Sequence, residues 1–363
     1  MSSTDAGREA RGRRTRVEDS GFLHFAGRFG LPVLLLIVLI VFSLWKTESF
    51  FSWNNFRAIF SQEAIIAMVA FGVMVPLVVG EFDLSVGANA GLAAILAVGL
   101  SGAVNHLGAW PAIVIAVLAS TFVGFLNGLI VTRLMVNSFI ATLGMATAIE
   151  GVGQLYTHST ELQGTNTTLL AIGRHEFFGL PTTVLAAIVV GVALLIVLQY
   201  LPVGRQLLAV GANRRAAELT GIRSNRRVLL AFAGSGLIVG IGGALYGANL
   251  GAAGNTTGGT LLLPAFAGAF LGSTAILPGR YNVLGTVVAV LLLAFTISGL
   301  EQVGVEVWIQ SLIQGIALIG AVAFSSWALR QRAARLRDIQ LKLLEDDAAV
   351  ERTETIEATS AKD

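Results

Sequence analysis

The amino-acid sequence predicts an all-α integral membrane protein, a bundle of about ten transmembrane helices with both termini in the cytoplasm. Hydrophobic residues make up 55% of the 363 residues and charged residues only 13%, a balance that a soluble domain could not cover with polar surface. Apolar runs long enough to cross a bilayer as helices recur along nearly the whole chain. The ten-residue alternation typical of membrane β-barrels does not occur.

The predicted spans follow one another with short polar connections. They cover residues 30–45, 62–80, 84–101, 110–132, 138–157, 180–200, 228–250, 261–277, 283–300 and 307–329. The first span is short, and a start nearer Phe25 would lengthen it. The fifth is polar enough that we expect it to be broken or partly re-entrant, which only a protein-lined environment permits.

The distribution of positive charge predicts the orientation. Of the 24 Lys and Arg residues, only Lys46, Arg57 and Arg174 fall in outer segments if the N-terminus is cytoplasmic. Because cytoplasmic segments carry the excess of Lys and Arg, both termini are predicted to be cytoplasmic. A long charged leader before the first span, with no small-residue cleavage site after it, argues against a cleaved signal peptide.

Two polar segments flank the predicted membrane domain, which covers residues 25–329. Residues 1–24 are charged and are expected to form a disordered cytoplasmic segment. Residues 330–363 form a cytoplasmic tail that begins with apolar residues at roughly helical spacing with Arg between them and then turns acidic. This pattern favours a helix lying at the inner membrane surface.

The residues that common catalytic and metal sites require do not form such sites in this sequence. The chain has no Cys, which excludes disulfides, thiolate nucleophiles and Cys-ligated metals. The four histidines have no close metal-ligand spacing and fall outside the spans: His24, His106, His158 and His175. We therefore predict no metal site.

Two enzyme classes are disfavoured in the same way. The "GLSG" of residues 99–102 has the form of an intramembrane-protease serine motif, but no later span supplies the histidine base, so a helix end of small residues is favoured. A P-loop needs Lys after Gly, and none of Lys46, Lys342 and Lys362 follows a Gly. No catalytic residue and no cofactor are expected in this chain, and ATP-driven work would require another polypeptide.

Two carboxylates stand in the segment "GEFDLSVGANAG", residues 80–91. Glu81 and Asp83 occupy a predicted turn between two apolar runs. Asp83 precedes a helical run directly, so it could cap the free N–H groups of the first helical turn. A direct role in a path across the membrane is the alternative, and the residues alone leave both open.

The loop of residues 201–227 carries a predicted short helix parallel to the membrane. Asn213 is placed as an N-cap, "RRAAELT" has good helix formers, and Gly221 stands where a C-cap glycine belongs. Ala216, Ala217 and Leu219 would be available to enter a groove on a partner. The alternative is a basic loop that only fixes the topology.

Five segments in order resemble the inner-membrane permeases of the ribose/xylose/galactose group of sugar ABC importers, which are branched-chain-permease-like. Besides "GEFDLSVGANAG" they are "FIATLG" (139–144), "VGRQLLAVGANRRAAELTGIRSNR" (203–226), "PGRYNVLGT" (278–286) and "IQSLIQGIALI" (309–319). The resemblance implies a type II ABC importer permease of the bacterial plasma membrane that carries a small polar solute, a monosaccharide or related sugar, into the cytoplasm.

The resemblance also implies the partners and one site. The partners would be a separate ABC ATPase that binds the ATP, an extracytoplasmic solute-binding protein, a second permease in a homodimer or heterodimer, and the lipid bilayer, with no nucleic acid. The loop of residues 201–227 is similar to the coupling element that docks on the ATPase. The residues implied in coupling are Asn213, Arg214, Ala216, Ala217, Glu218 and Gly221.

This chain departs from the family pattern at three places. Glu81 stands where the family usually has a second Gly, Glu150 stands where Arg is common, and residues 278–281 replace Gly-Gly-Arg-Gly. The solute is therefore not assigned by analogy.

Polar residues in or beside the spans are the candidates for a solute pathway. They are Asp83, Ser85, Asn89, Asn127, Thr142, Glu150, Gln154, Asn249, Gln310 and Gln314. Glu150 would cost about 2.5–3.5 kcal/mol near mid-membrane, so it is expected to face a cavity or a partner. Gln310 and Gln314 are one turn apart and share a face. For each amide, hydrogen bonding between helices is the alternative.

A second function class uses the same kind of residues. A self-sufficient ion-coupled secondary transporter, or a channel, could couple to an ion through Asp83 or Glu150. Such a protein would not need a docking helix for an ATPase, so the 201–227 loop favours the importer subunit.

Overall fold

The computed structural model describes residues 28–46, 49–306 and 308–323. Within them the chain forms helices and four two-residue strands. The helices are α1 (Arg28–Trp45), α2 (Trp53–Val78), α3 (Val86–Val98), α4 (Ala109–Arg133), α5 (Ser138–Thr157), α6 (Thr167–Arg174), α7 (Thr182–Gln199), α8 (Pro202–Ala212), α9 (Arg214–Leu219), α10 (Ser224–Leu250), α11 (Thr257–Gly272), α12 (Val283–Val303) and α13 (Trp308–Ala323). The predicted N-terminal segment, 1–24, and the tail, 330–363, lie outside the described residues.

The strands form two small antiparallel pairs. β1 (Leu162–Gln163) pairs with β4 (Ala252–Ala253), and β2 (Glu176–Phe177) pairs with β3 (Leu180–Pro181). A π-helical turn, Gly99–Ala103, extends α3. The β1–β4 pair joins the connection that follows α5 to the one that follows α10, and the β2–β3 pair lies between α6 and α7.

Seven of the described helices are long and apolar enough to cross a membrane: α1, α2, α3 with its π-helical turn, α4, α7, α10 and α12. Helices α11 and α13 are apolar but shorter, and α5 is long enough but more polar. Each predicted span overlaps one of these helices, which fits an all-α membrane bundle. Ten spans and the cytoplasmic placement of the termini stay predictions.

The fifth span is a correction to the sequence-based expectation of a broken segment. Helix α5 is continuous over 20 residues, or about 30 Å at 1.5 Å per residue, the thickness of the bilayer core. Its threonines satisfy their hydroxyl groups within the helix: Thr142 donates to the carbonyl of Ser138 at 2.7 Å, and Thr157 to that of Gly153 at 2.9 Å. The polarity of this segment therefore does not break it.

Helix α2 begins earlier than predicted, at Trp53 instead of residue 62. The Ser52 side chain caps it by accepting a hydrogen bond from the Asn55 N–H at 3.3 Å. The polar residues of its first three turns had placed the predicted boundary too late. As a result, Gln62 and Glu63 lie inside a 26-residue helix and not at its edge.

The centre of the bundle is formed by α2, α3 and α10. Helix α2 is buried continuously from Ala64 to Val78, and α10 packs on α2, α3 and α4. Glycines of α10 permit this close packing, because a Cβ on Gly243 would stand 2.2 Å from the Ala90 carbonyl oxygen, and one on Gly236 would stand 2.3 Å from that of Ser120. Such small-residue contacts are typical of helix packing in membranes.

The connections between helices gather at two ends of the bundle. We call one the arginine-rich end; it contains the connections 79–85, 134–137, 200–223 and 273–282. Contacts join them, for example from the Phe82 N–H to Ser138 Oγ at 3.2 Å. The opposite end contains 49–52, 104–108, 158–181, 251–256 and 304–306. There the Tyr156 hydroxyl donates to Asn105 Oδ1 at 2.7 Å.

Candidate functional site

Asp83 lies at the arginine-rich end, in a buried hydrogen-bonded group with Ser85 and Asn127. Its carboxylate is only 4% exposed and accepts hydrogen bonds from the Ser85 N–H at 3.0 Å and the Ser85 hydroxyl at 2.6 Å. The Asn127 amide donates to Ser85 Oγ at 2.7 Å. Asp83 thus holds Ser85, the residue before α3, and Asn127 joins α4 to the same Ser85 side chain.

Burial dominates the electrostatics of this carboxylate. Loss of hydration raises the pKa of Asp83 to about 6, while the two hydrogen bonds from Ser85 act in the opposite direction. Removal from water disfavours the charged form more than these two bonds favour it. The pKa of Asp83 therefore lies closer to physiological pH than that of an ordinary aspartate.

Asn89 and Thr142 lie beside this group and bond to neighbouring backbone. The Asn89 amide donates to the Ser120 carbonyl at 3.1 Å, linking α3 to α4. Thr142 Oγ1 accepts from the Leu84 N–H at 3.0 Å, linking α5 to the connection 79–85. The Oδ1 atoms of Asn89 and Asn127 are buried and have no hydrogen-bond partner among the described residues. A role for these side chains in a solute pathway stays a prediction.

Glu150 and Gln154 lie on the exposed face of α5. Thr147, Glu150, Gly151 and Gln154 are all exposed and recur at helical spacing on one side. No hydrogen bond or ion pair is formed by the Glu150 carboxylate within the described part of the chain. In one copy of the protein this polar stripe is therefore a free surface.

Asn249 lies near the opposite end and joins three helices. Its amide nitrogen donates to Ser61 Oγ at 3.2 Å and to the Gly173 carbonyl at 3.1 Å. Arg174 donates to the Asn249 carbonyl at 2.9 Å. These bonds connect α10 with α2 and α6.

A cavity of about 550 Å³ opens between α2, α10, α11, α12 and α13. We call it the bundle cavity. It brings together Gln310 and Gln314, as their shared face predicts. The polar residues that line it are Asn55, Gln62, Glu63, Tyr246, Thr260, Ser298, Glu301, Gln310, Ser311 and Gln314.

The sequence analysis missed most of this lining. The predicted span began at residue 62, so Gln62 and Glu63 fell at its edge and were not considered as lining residues. The available signal is the stripe formed by Asn55, Gln62 and Glu63, which recur at seven- and eight-residue spacing on one face of a helix. Ser298 is held there by donating to Asn55 Oδ1 at 3.4 Å.

The loop at the arginine-rich end contains the predicted short helix. The Asn213 side chain caps α9 by accepting from the Ala216 N–H at 3.0 Å, and Gly221 has φ +85°, so both caps are confirmed. The sequence analysis did not predict α8, which precedes α9 and packs against α7 and the end of α2. Gly211 makes that contact possible, since a Cβ there would stand 1.9 Å from the Val78 carbonyl oxygen.

The prediction that Ala217 of α9 is available to a partner is wrong. Ala217 is 5% exposed and packs in the core of its own chain, because α9 lies on α8 with this side inward. Ala216, Glu218 and Leu219 are exposed and form the free face of α9. Arg214 contacts Glu81 at 3.4 Å and Glu218 at 3.8 Å.

No group of three His, Asp or Glu side chains is close enough to hold a metal ion in the part of the chain that the structure describes.

Comparison with known proteins gives a consistent set of relatives. A family described as "Branched-chain amino acid transport system / permease component" matches residues 55–322. The ribose import permease protein RbsC of Bacillus subtilis is 31% identical over 310 residues, covering 85% of this chain and 94% of the relative. No solved structure matches the chain significantly.

Two further relatives are more distant. The D-allose transport system permease protein AlsC of Escherichia coli is 27% identical, covering 83% of this chain and 92% of the relative. The autoinducer 2 import system permease protein LsrC of Yersinia pseudotuberculosis is 28% identical, covering 84% and 86%. The similarity to all three extends over most of the chain.

Proposed function

This chain belongs to the branched-chain-permease-like family of ABC importer permeases, and from that premise we propose that it translocates a small polar solute, a monosaccharide or related sugar, into the cytoplasm. It is a multi-pass protein of the bacterial inner membrane. Relatives named for ribose and for D-allose support a sugar as the solute. The permease chain provides the path and performs no chemical step.

The observation that carries the coupling to ATP hydrolysis is the exposed face of α9. This helix is capped at Asn213, is held on α8 through buried Ala217, and presents Leu219 with 85% of its surface exposed. An exposed leucine beside Glu218 on a short capped helix suits insertion into a groove of a partner. The proposed partner is a separate ABC ATPase, which would bind the ATP.

The exposed polar face of α5 supports a second permease as a partner. A carboxylate facing lipid near mid-membrane costs about 2.5–3.5 kcal/mol, and Glu150 has no partner within the described residues of its own chain. A second copy, or a related permease, would cover this stripe and leave a polar path between the two chains. An extracytoplasmic solute-binding protein would deliver the solute at the opposite end.

The test is uptake into ATP-loaded proteoliposomes, with the loaded binding protein outside and the solute that it retains on purification as the probe. We expect uptake only when the ATPase subunit is reconstituted with this chain. Vanadate should abolish uptake, whereas a proton uncoupler should leave it intact. Uptake without any ATPase subunit would refute this function and favour the ion-coupled alternative.

A further inference from the structure

Helices α2, α7 and α12 enclose an apolar groove, which we call the flank groove. Its volume is about 310 Å³, and the residues that line it are hydrophobic or Gly except Glu63, which also borders the bundle cavity. Phe71 and Val283 are buried on its floor, whereas Ile188 and Leu284 are exposed at its rim. Helix α7 is peripheral, with only 22% of its spanning segment buried. The groove therefore opens sideways, toward the lipid around the bundle.

The flank groove begins at the first residues of α12. A Cβ on Gly191 would stand 3.1 Å from the Phe71 ring and 3.5 Å from Val283 Cγ1, so the three helices meet at this level. From there the groove extends to Phe60 on α2 and to Val184 on α7. Phe60 and Phe71 are 11 positions apart, about 16 Å at 1.5 Å per residue. This is roughly half of a 30 Å hydrocarbon core, the depth of one leaflet.

Two exposed arginines mark the edge of the membrane beside this end of the groove. Helix α1 has 18 residues, about 27 Å at 1.5 Å per residue, so it crosses nearly the whole hydrocarbon core. The carbonyl of its first residue, Arg28, accepts from the Ile276 N–H at 2.9 Å, which holds the connection 273–282 at the same depth. Arg280 is exposed in that connection, three positions before Val283. Both arginines therefore lie where the lipid head groups begin.

The protein does not neutralise these two cations within the part of the chain that the structure describes. The Arg28 guanidinium lies over the Phe29 ring, 5.4 Å from its centroid, and neither Arg28 nor Arg280 forms an ion pair there. The connection 273–282 contains no Asp or Glu. Guanidinium groups bind phosphate oxygens strongly, and basic residues at the membrane surface attract anionic lipids. The charge beside the groove thus suits an anionic head group.

We propose that the flank groove is a binding site for an anionic phospholipid from the leaflet at the arginine-rich end. One acyl chain would lie in the groove, and the phosphate would bind Arg280, with Arg28 adding to the attraction. A second permease is a less suitable occupant, because the α5 face that we assign to that partner contributes no residue to the groove. The proposal requires only that the chain spans a bilayer, so it does not rest on the proposed function.

The test uses the full chain in phosphatidylcholine nanodiscs that contain a photoreactive phosphatidylglycerol. Its diazirine is placed either near the end of one acyl chain or near the carboxyl group of that chain. After illumination, lipid adducts are assigned to peptides by mass spectrometry. We expect the chain-end probe to label α7 near Val184 and α12 near Leu291, and the other probe to label them near Leu195 and Leu284. The opposite order would mean that the chain does not enter from the arginine-rich end.

The head-group preference is measured by competition. Unlabelled phosphatidylglycerol should suppress the adducts at much lower concentration than an uncharged or zwitterionic lipid does. Arg280→Gln should reduce this preference about fivefold, as expected for one basic residue at the membrane surface. Arg133→Gln, which removes an exposed cation at the end of α4, is the matched control and should retain it.

Occupancy of the groove is tested by filling it. Ala187→Phe adds a ring inside the groove, whereas Val189→Phe adds one on an exposed side of α7 that does not line it. The first variant should lose the adducts, and the second should keep them.

Four results would overturn the proposal: the reversed order of labelling, no enrichment of adducts in the groove segments of α7 and α12, equal competition by anionic and zwitterionic lipid, or unchanged labelling of Ala187→Phe. The first three are measured on the wild type, so a variant that fails to fold cannot conceal them. None of the measurements involves ATP, the ATPase subunit or a transported solute. Failure of the lipid site is therefore distinguishable from failure of the importer function.

Discussion

At the scale of single residues, Asp83 shows how burial and hydrogen bonding oppose each other. Its two bonds from Ser85 favour the carboxylate, yet loss of hydration prevails and raises the pKa of Asp83 to about 6 from 3.8. A buried carboxyl group with a raised pKa is more easily protonated in the folded state than in the unfolded state. Folding is therefore favoured at acidic pH by this group.

The first prediction follows from the upward shift of the Asp83 pKa on folding. The contribution of Asp83 is most favourable below about pH 4, is lost as the pH rises to about 6, and is constant above. The unfolding temperature of the wild type minus that of Asp83→Asn, measured in detergent from pH 4 to 8, should fall over this window. Ser85→Ala should move the window to higher pH, since it removes a hydroxyl that stabilises the carboxylate. A difference independent of pH would contradict the assignment.

At the scale of elements, the sequence predicted helices better than it predicted their limits and surroundings. Helix α5 was located correctly, but the polarity of its sequence was taken to predict a break, whereas its threonines donate to carbonyls one turn earlier in the same helix. The start of α2 was missed because its first turns are polar, and with it the position of Glu63. Propensity and hydropathy are local, so they cannot show that five separated helices enclose one polar cavity.

The caps of α9 were predictable because their signals are local. Asn213 and Gly221 act within a few residues of themselves, through a side-chain bond and a positive φ. The inward direction of Ala217 was not predictable, because it depends on α8 lying underneath. Sequence reasoning thus located the short helix α9 but not which of its faces is free.

The second prediction separates docking from folding. Gly221→Val forces a β-branched residue into φ +85°, and Gly304→Val does the same at φ +91° at the opposite end, with open space around both positions. The two variants should lose similar stability, about 1–2 kcal/mol or more. Gly221→Val should weaken co-purification with the ATPase subunit and lower solute-stimulated ATP hydrolysis, whereas Gly304→Val should leave co-purification intact.

Glu218→Arg tests the same surface without backbone strain. It reverses a charge on the free face of α9, so the variant should reach the membrane normally and lose association with the ATPase subunit. Full complex yield and full stimulation for either Gly221→Val or Glu218→Arg would show that the docking surface lies elsewhere.

At the scale of the whole molecule, burial is distributed unevenly over the helices. The spanning segments of α2, α3 and α10 are 67%, 78% and 61% buried, whereas those of α1, α4 and α7 are 6%, 28% and 22% buried. The first group forms the interior and the second group the periphery. An exposed charge is ordinary at the ends of peripheral helices but costly in the middle of one, which is why we propose that a second chain covers Glu150.

The third prediction tests that surface of α5. Glu150→Gln should change the rate of transport or its preference among sugars, because the proposed polar path between two permeases would run along this carboxylate. Membrane insertion should be unimpaired, since neutralising the side chain lowers the cost of burial. Glu161→Gln, an exposed residue in a connection at the opposite end, is the matched control and should transport normally. Unchanged rate and selectivity in Glu150→Gln would assign Glu150 a structural role.

The contact between Arg214 and Glu81 couples the position of the turn before α3 to that of α9. The two residues are 133 positions apart, and the pair joins helix α9 to the turn that contains Asp83 and Ser85. If α9 is displaced while this ion pair stays intact, the turn that contains Glu81 moves with it. Because the Arg214 side chain is 44% exposed, dissolved salt screens its attraction to Glu81. The coupling between α9 and the turn therefore weakens as ionic strength rises.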